Sequence, residues 1–356
     1  MNIIILGLSI TSSWGNGHAT TYRGLVRALN ERGHQTLFLE RDMPWYAANR
    51  DMPAPPYGRT VLYSSVDELR ARHANAIRDA DFVMVGSYVP DGIAVGDWVT
   101  ATAQGITAFY DIDTPVTLAA LGRGNCEYLA AEQIPRYDMY LSFTGGPTLE
   151  RLEQQYGSPC ARPLYCSFDP DMYYPEATEL RYDLGYLGTW SADRQPPLEA
   201  LMLDAARAWS EGRFAVAGPQ YPTDVQWPPN VERTEHLPPS QHRQFYNAQR
   251  FTLNITRADM RAAGFAPSVR LFEAAACGTP IISDNWPGLD TLFTPNSEIL
   301  ITTSADDTLR YLRDMPESER KAIGERSRAR VLGAHTAAHR AAELERYVRA
   351  TQNSSV

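Results

Sequence analysis

In the first half of the chain, short continuous apolar runs alternate with segments whose apolar residues recur every three or four positions. Continuous apolar runs are typical of strands buried on both faces of a parallel sheet, and the longer period is typical of amphipathic helices. Gly33, just after the first helical segment, suits a left-handed C-terminal cap. The pattern predicts strands at residues 3–8, 35–39, 81–86, 106–110 and 138–143, and helices at residues 20–32 and 66–79.

The alternation stops at residues 163–175, PLYCSFDPDMYYP, which are rich in Pro, Asp and Tyr and have no helical period. Such a segment suits a crossing between domains. The alternation then restarts, with strands predicted at 183–187, 214–217, 251–255 and 280–283, and helices at 196–209, 242–248 and 269–277. Two such series predict an α/β protein of two doubly wound domains that face each other across a cleft, with ligands at the carboxyl ends of the strands.

These patterns suggest domain boundaries. We expect a first Rossmann-like domain at residues 1–165, a second at 166–335, and a C-terminal helix and tail at 336–356. Residues 317–350 contain many Arg and Glu and predict one long helical stretch. That stretch is either a solvated helix or an element that crosses back to brace the first domain.

Composition narrows the class of protein. A hydrophobic fraction of 44% and an aromatic fraction of 10% exclude disorder. The net charge of −9 argues against nucleic acid as the main partner, because that binding depends on basic surface. The four cysteines show no CxxC spacing of the kind that binds metals. The N-terminal apolar run is interpreted as a strand and not as a signal peptide. No apolar stretch is long enough to predict a transmembrane helix. We expect a cytoplasmic protein, and peripheral attachment to a membrane stays open.

A Gly-rich loop, SSWGNGHAT, follows the first predicted strand and opens onto the first helix. Gly15, Asn16 and Gly17 would let backbone amides approach an anion at the helix N-terminus, so they are candidates for an acceptor or phosphate loop. His18 beside them is a candidate catalytic residue. The alternative for His18 is a structural hydrogen bond at the start of the helix.

The same glycines raise the alternative of a dinucleotide cofactor. Gly15-x-Gly17 resembles part of the GxGxxG motif, and Glu40 ends the next predicted strand. However, Thr20 stands in place of the third glycine, and the glycines lie several residues beyond the strand. We therefore predict no cofactor.

An acidic pair, Asp111 and Asp113, follows the predicted strand ITAFY. Two carboxylates at this spacing can bind a divalent metal beside a diphosphate. Alternatively, Asp113 or Thr114 caps the next helix, with Pro115 at its start. Both aspartates stand where an acid or base in the cleft would stand, so we retain them as candidate catalytic residues.

The strongest candidate segment is GFAPSVRLFEAAACGTPII, at residues 264–282. Ser268 can cap a short helix whose amides would face a diphosphate. Arg270 and Glu273 lie three residues apart and share a face of that helix. A guanidinium there can neutralise phosphate while the carboxylate accepts ribose hydroxyls. The alternative is an Arg–Glu ion pair on the surface of a core helix.

This segment resembles the nucleotide-binding segment of the group 1 glycosyltransferases, and SVRLFEAAACGTPIISDNWPGLDTLF is closest to the CgeB-like members involved in spore maturation. SFDPDMYYPE resembles the interdomain segment of the family, LGYLGTWSADRQPPLEAL its phosphate-facing loop, and WGNGHATTYRGLVRALNERGH its first Gly-rich loop. The resemblance implies the GT-B architecture and a transferase of the hexosyltransferase type that uses a nucleotide diphosphate sugar. It implies that Glu273 holds the ribose and that the diphosphate is bound by Arg270, Arg194 and the loop and helix-start residues Gly188, Thr189, Gly218, Ser268 and Val269.

One position departs from the family. Phe265 stands where the first glutamate of the paired-glutamate motif is usual, so the contact to the donor sugar is missing from the sequence pattern. Asp259 or Arg261 are alternatives for that contact.

The resemblance favours a metal-independent reaction with retention of anomeric configuration, on a small-molecule, glycan or glycoconjugate acceptor. The alternatives are a sugar-nucleotide epimerase of the same fold and a catalytically silent protein that binds a carbohydrate or a nucleotide.

Overall fold

A computed structural model describes residues 1–15 and 17–354 of the chain. By its internal contacts the chain divides into two compact units. The first unit contains Met1–Cys166 together with the residues from Ala337 onward, and the second contains Ser167–Thr336. Among the described residues, no helix combines the length and the apolar character needed to cross a lipid bilayer.

The first unit is built on one parallel sheet. Its strands, within residues 1–15 and 17–354, are β1 (Asn2–Gly7), β2 (Gln35–Arg41), β3 (Arg59–Tyr63), β4 (Phe82–Gly86), β5 (Ile106–Asp111), β6 (Met139–Ser142) and β7 (Ala161–Pro163). They are ordered β3-β2-β1-β4-β5-β6-β7. The order reverses between β1 and β4, so the carboxyl ends of these two strands border the crevice in which doubly wound sheets bind ligands.

The helices of the first unit connect and cover these strands. In the described part of the chain before residue 167 they are α1 (His18–Glu31), α2 (Pro44–Ala47), α3 (Val66–Asp79), α4 (Gly92–Thr102), α5 (Thr114–Gly122) and α6 (Pro147–Gln154), with a 3₁₀ turn at Ala131–Arg136. After α1, Gly33 has a φ of +84° and its N–H donates to the Asn30 carbonyl at 2.9 Å. The predicted left-handed cap is therefore confirmed.

The second unit repeats the arrangement with a smaller sheet. Its strands are β8 (Tyr182–Leu187), β9 (Phe214–Ala217), β10 (Val231–Thr234), β11 (Gln249–Asn254), β12 (Ile281–Ser283) and β13 (Leu300–Ile301), all parallel and ordered β10-β9-β8-β11-β12-β13. Leu184, Val216 and Phe251 from three neighbouring strands form part of its buried core. Here the order reverses between β8 and β11, which places the expected ligand crevice at their carboxyl ends.

The helices of the second unit follow the same alternation. They are α7 (Gln195–Leu198), α8 (Asp204–Ala208), α9 (Pro239–Asn247), α10 (Ala258–Ala263), α11 (Val269–Ala276), α12 (Leu289–Leu292), α13 (Ala305–Asp314) and α14 (Glu317–Ala334). A π-helical turn, Glu199–Leu203, joins α7 to α8. The helix predicted at residues 196–209 is thus one helical stretch with a wider turn in its middle.

The last helix returns to the first unit. The helical stretch predicted at residues 317–350 forms two helices, because the chain breaks at His335 and Thr336 before α15 (Ala337–Ser354). The His335 ring stacks on Phe272 with centroids 4.6 Å apart, and Thr336 bridges to Phe168, which accounts for the break. From Ala337 the chain packs on α1 in the first unit, as predicted for a helix that crosses back.

Every strand predicted from the apolar runs is present, with ends within two residues of the prediction. The strands that the pattern missed are β3, β7, β10 and β13, and all four lie at the edges of their sheets. An edge strand is covered less completely, and β3 and β10 each have a single fully buried residue. Such strands lack the continuous apolar run on which the prediction relied.

Candidate functional site

Two turns that contain glycine lie side by side at the carboxyl ends of the strands in the second sheet. Gly188 follows β8 and Gly218 follows β9, and the Gly188 N–H donates to the Ala217 carbonyl at 2.8 Å. A Cβ on Gly218, whose φ is +144°, would lie 2.0 Å from the Gly188 carbonyl oxygen. A Cβ on Gly188 would lie 2.6 Å from Tyr186 Oη and 3.0 Å from Arg270 Nη2. Only glycine fits at these positions, and Gly188 thereby lies against the Arg270 guanidinium.

Arg270 is buried at the start of α11 and is held by neutral groups. Its Nη1 donates to Asn254 Oδ1 at 3.0 Å, and its Nε donates to the Leu187 carbonyl. The guanidinium also lies 5.1 Å from the centre of the Tyr186 ring. Only 9% of the residue is exposed. The full positive charge of Arg270 is therefore largely removed from water without a carboxylate among the described residues to balance it.

Arg194 brings a second guanidinium close to the first. It lies in the loop after β8, where its Nε donates to Ser191 Oγ at 2.9 Å and its Nη2 donates to the Thr189 carbonyl. Burial lowers the pKa of Arg194, and the charges of Arg270 and Arg257 lower it further. In the described part of the chain Arg194, like Arg270, makes no ion pair with a carboxylate. Two partly desolvated cations side by side favour the binding of an anion.

The N-terminus of α11 adds backbone donors to this region. Ser268 has the extended conformation of an N-cap, and Val269 begins the helix. The prediction that the Ser268 side chain caps the helix is wrong, because its hydroxyl donates to Asn254 Oδ1 at 2.9 Å instead. Asn254 is thus shared by Ser268 and the nearby guanidinium, and the helix start keeps its affinity for negative charge.

Glu273 lies one turn further along α11 and is 2% exposed. Tyr246 Oη donates to Glu273 Oε2 at 3.3 Å, and His242 Nδ1 lies 3.6 Å from the same oxygen. Arg270 and Glu273 are both buried and form no ion pair with each other, so the alternative of a surface pair is wrong. The helix therefore carries a buried cation and a buried carboxylate one turn apart.

Phe265 occupies a strained backbone position. Its φ is +50°, its N–H donates to the Pro287 carbonyl at 2.7 Å, and its ring packs so closely on Gly288 that a Cβ there would lie 2.4 Å from Phe265 Cδ1. The aromatic side chain thus fills a turn where the resemblance leads one to expect a carboxylate. The two alternatives for the sugar contact, Asp259 and Arg261, are exposed on α10.

In the first unit, the Gly-rich loop connects β1 to α1. Gly15 has a φ of +59°, Gly17 precedes the helix, and His18 is its first residue. The helix begins two residues earlier than predicted, so His18 lies at the N-terminus of α1. Asn16, the third predicted residue of this loop, lies outside the described residues.

Glu40 has a structural role at the end of β2. It is fully buried, and its Oε2 accepts hydrogen bonds from the N–H groups of Ile10 and Thr11 at 2.7 and 3.0 Å. The hydroxyls of Ser9 and Thr11 donate to Oε1. Both oxygens are thus taken by the loop after β1, whereas the dinucleotide alternative needs this carboxylate for a ribose.

The two aspartates after β5 have different environments. Asp111 has no exposed surface, and it accepts hydrogen bonds from Tyr140 Oη, Thr117 Oγ1 and the Asp113 N–H. Burial raises the pKa of Asp111 to about 6. Asp113 is the N-cap residue of α5 and Pro115 follows at the helix start, as the capping alternative predicted, but no side-chain capping hydrogen bond forms. Among the described residues, no group of three or more His, Cys, Asp or Glu is placed to hold a metal ion.

Tyr88, which the sequence analysis did not single out, links the candidates of the first unit. It follows β4 with a φ of +64°, and its hydroxyl donates to Asp113 Oδ2 at 3.0 Å. The His18 ring stacks on Tyr88 with centroids 5.7 Å apart, and the Tyr128 ring also packs on Tyr88, with centroids 4.6 Å apart. His18 and Asp113 thus belong to one cluster at the β1–β4 crevice. The available signal was the position of Tyr88 directly after a strand that borders β1.

Part of the chain matches a known protein family. Residues 194–346 match the family model described as glycosyl transferase-like, a range that contains Arg194, Arg270 and Glu273. No curated protein sequence matches the chain. Many solved structures do match, at low sequence identity.

Three of these structures illustrate the likeness. Sucrose-phosphate synthase from Thermosynechococcus elongatus is 15% identical with a TM-score of 0.70, and the match covers 99% of this chain and 100% of that one. HepE from Anabaena in complex with UDP-glucose is 12% identical with a TM-score of 0.73, covering 98% and 100%. An α-glucosyltransferase in complex with UDP and a 13-mer DNA is 11% identical with a TM-score of 0.74, covering 98% and 99%.

These identities are low enough that they establish the fold alone. The two Rossmann-like units with parallel sheets have the GT-B architecture, as the sequence resemblance predicted. The family match adds a glycosyl transferase-like segment within the second unit and α15. The chain therefore has the GT-B fold, and residues 194–346 are similar in sequence to glycosyl transferase-like proteins.

Proposed function

We propose that this chain transfers a sugar from a nucleotide diphosphate donor to an acceptor hydroxyl. The observation that carries the proposal is the pair of guanidiniums of Arg194 and Arg270, partly or fully buried without a carboxylate partner in the described part of the second unit. Glu273 lies one helical turn from Arg270. A diphosphate on the arginines and a ribose on the carboxylate would satisfy both.

The chemistry follows from this charge distribution. The acceptor oxygen forms the new bond to the anomeric carbon, the bond from that carbon to the diphosphate oxygen breaks, and the acceptor proton passes to the leaving diphosphate. Arg194, Arg270 and the amides at the start of α11 stabilise the charge that develops on the leaving group. Because these groups supply the positive charge, we propose that the reaction needs no metal ion. The sequence resemblance favours retention of anomeric configuration.

In the first unit we propose Asp113 and His18 as contacts for the acceptor or the reacting sugar. Asp113 is only partly buried, and Tyr88 orients it. Asp111 has no exposed surface, so we assign it a supporting role through its hydrogen bond from the Asp113 N–H. The glycines of the loop before α1 remain a proposed phosphate or acceptor contact.

The nucleotides bound in the similar structures indicate which donor base to test first. HepE and the α-glucosyltransferase were both solved with UDP or UDP-glucose. UDP is therefore the first nucleotide to test here. Three of the α-glucosyltransferase structures contain DNA, but a net charge of −9 makes nucleic acid a poor acceptor for this chain. We keep a glycan, glycoconjugate or small molecule as the proposed acceptor, and a specialisation close to the CgeB-like enzymes stays a prediction.

Calorimetric titration with UDP tests the donor site. We expect Arg270→Ala and Glu273→Gln each to weaken UDP binding about ten- to hundredfold, because each loses a charge-assisted hydrogen bond worth roughly 1.5–3 kcal/mol. Arg310→Ala is the matched control, since Arg310 lies exposed on α13 and pairs with Asp307 at the surface. Unchanged affinity in both site variants, with folding intact, would refute the assignment of α11 to the donor.

A silent nucleotide-binding protein is the second candidate function, and Phe265 is the observation that favours it. An aromatic ring stands where the resemblance implies a carboxylate for the donor sugar. Wild-type protein that binds UDP but releases none from UDP-glucose, with any acceptor of a broad panel, would support the silent function over transfer.

A further inference from the structure

Glu273 is surrounded by side chains that the proposed function does not yet use. His242 and Tyr246 lie four residues apart on α9 and so share a face of that helix. Both approach Glu273 Oε2, at 3.6 Å from His242 Nδ1 and 3.3 Å from Tyr246 Oη. The hydroxyl of Tyr173 lies 3.4 Å from His242 Nδ1. All three side chains are mostly or fully buried, so this is a built shell around one carboxylate oxygen.

His242 also holds a second element. Its Nε2 lies 3.1 Å from the carbonyl oxygen of Leu237, in the segment 235–238 between β10 and α9. A carbonyl only accepts hydrogen bonds, so Nε2 carries the proton of the imidazole. Nδ1 faces both the Tyr173 hydroxyl and Glu273 Oε2. One imidazole therefore connects the Glu273 carboxylate to the segment after β10.

We propose that His242 is a positioning residue for the nucleoside half of the donor. It fixes Glu273 through Oε2 and leaves Oε1 to the ribose. It also holds segment 235–238 beside that ribose. This inference rests on the proposed donor site. Arg270 and Glu273 lie about one turn apart, roughly 4.5 Å along the α11 axis, which sets the direction from diphosphate to ribose. His242 packs on the Glu273 side of that direction.

The inference separates two halves of the ligand, and the experiment measures both. UDP, uridine and inorganic pyrophosphate are titrated into wild-type protein and into His242→Phe, which keeps a ring but removes both nitrogens. We expect binding of UDP and uridine to weaken about three- to tenfold, the effect of one or two neutral hydrogen bonds. Binding of pyrophosphate should not change, because Arg194 and Arg270 are untouched.

Two further variants guard against a purely structural effect. His242→Asn places an amide donor near the position of Nδ1, so it should recover part of the UDP affinity lost in His242→Phe. Gln244→Ala is the control, because Gln244 is exposed on the same helix. It should bind all three ligands as the wild type does.

The outcomes distinguish this inference from the function on which it rests. Wild-type protein that does not bind UDP would overturn the proposed donor site and this inference together. Wild-type protein that binds UDP, with His242→Phe either unchanged for every ligand or weakened equally for pyrophosphate and uridine, would overturn the positioning role alone.

Discussion

Asp111 and Asp113 are two residues apart, yet only one of them is placed to meet a ligand. Asp111 points into the unit, where Tyr140 and Thr117 satisfy its carboxylate, and Asp113 lies nearer the surface with Tyr88. In a continuing strand, residues two apart would share a face, so the turn that begins after Asp111 produces this difference. At the scale of single residues, burial therefore separates a supporting carboxylate from a candidate contact.

The raised pKa of Asp111 makes stability depend on pH in a defined direction. The pKa is about 6 in the folded protein and 3.8 in the ordinary reference state, so between these values the folded state holds a proton that the unfolded state has released. Stability then falls as pH rises toward 6 and the cost stays constant above it. We expect Asp111→Asn, which cannot ionise, to gain about 1.4 kcal/mol relative to wild type between pH 5 and pH 8.

Denaturant unfolding at both pH values measures this gain. Glu132→Gln is the control, because Glu132 is an exposed carboxylate of the same unit. Its stability relative to wild type should not change with pH. A stability difference for Asp111→Asn that is equally independent of pH would contradict the raised pKa.

At the scale of elements, α15 is held on the first unit by a charged cluster beside α1. Glu345 is 7% exposed and accepts two hydrogen bonds from Arg32, at 2.6 and 2.8 Å, and one contact from His34 at 2.6 Å. The hydrogen bond from Arg32 and the nearby positive charges lower the pKa of Glu345 to about 2. The close approach of Gly24 to Ala337, where an added Cβ would lie 3.1 Å from the Ala337 Cβ, completes the packing.

We expect Glu345→Gln to destabilise the first unit by about 1–3 kcal/mol, because it leaves Arg32 and His34 without their carboxylate. We expect a value in the lower part of this range, because Arg32 is 40% exposed and water screens part of its charge. The lowered pKa means that this stabilisation is complete above about pH 4.5 and is lost as pH falls toward 2. Thermal unfolding and limited proteolysis of the C-terminal helix measure the effect.

The matched control for this variant is Glu31→Gln, on α1. Glu31 pairs with Arg27 at the surface and is 60% exposed, so its loss should change stability by less than about 0.5 kcal/mol. If the two variants unfold at the same temperature and release α15 equally, the buried cluster does not hold the helix.

At the scale of the whole molecule, a net charge of −9 coexists with a proposed site for a polyanion. A protein with net negative charge can still bind a polyanion at local cations. The reason is that the electric field at a partly desolvated pair of guanidiniums depends more on neighbouring charges than on the net charge of the protein. The acidic pair after β5 offers a metal only one accessible carboxylate, since Asp111 is buried and fully bonded within the protein. Neutralisation of the diphosphate is therefore assigned to the arginines.

We expect UDP affinity and UDP-glucose turnover to survive exhaustive dialysis against EDTA. The physical reason is that Arg194, Arg270 and the α11 amides already provide the positive potential that a metal would add. Calorimetry and a UDP-release assay, each with and without added Mn²⁺ or Mg²⁺, measure this. Loss of activity with EDTA and recovery with either ion would contradict it and make Asp113 a candidate ligand.

The sequence by itself determined the alternation of strands and helices and the segment at α11. A strand buried on both faces needs a continuous apolar run, and a left-handed cap needs a residue such as Gly33, so these features are local and are visible without a structure. The same holds for Arg270 and Glu273, because a spacing of three residues places both on one face of any helix.

Only the tertiary structure decided which polar groups are already used by the protein itself. Glu40 is bonded to a loop about thirty residues away, Ser268 donates to Asn254 instead of capping its helix, and His242 reaches Glu273 from another helix. These partners depend on which strands become neighbours, a choice made by long-range packing. The apolar pattern reports whether a residue is inside but carries no information about the residue that it meets there.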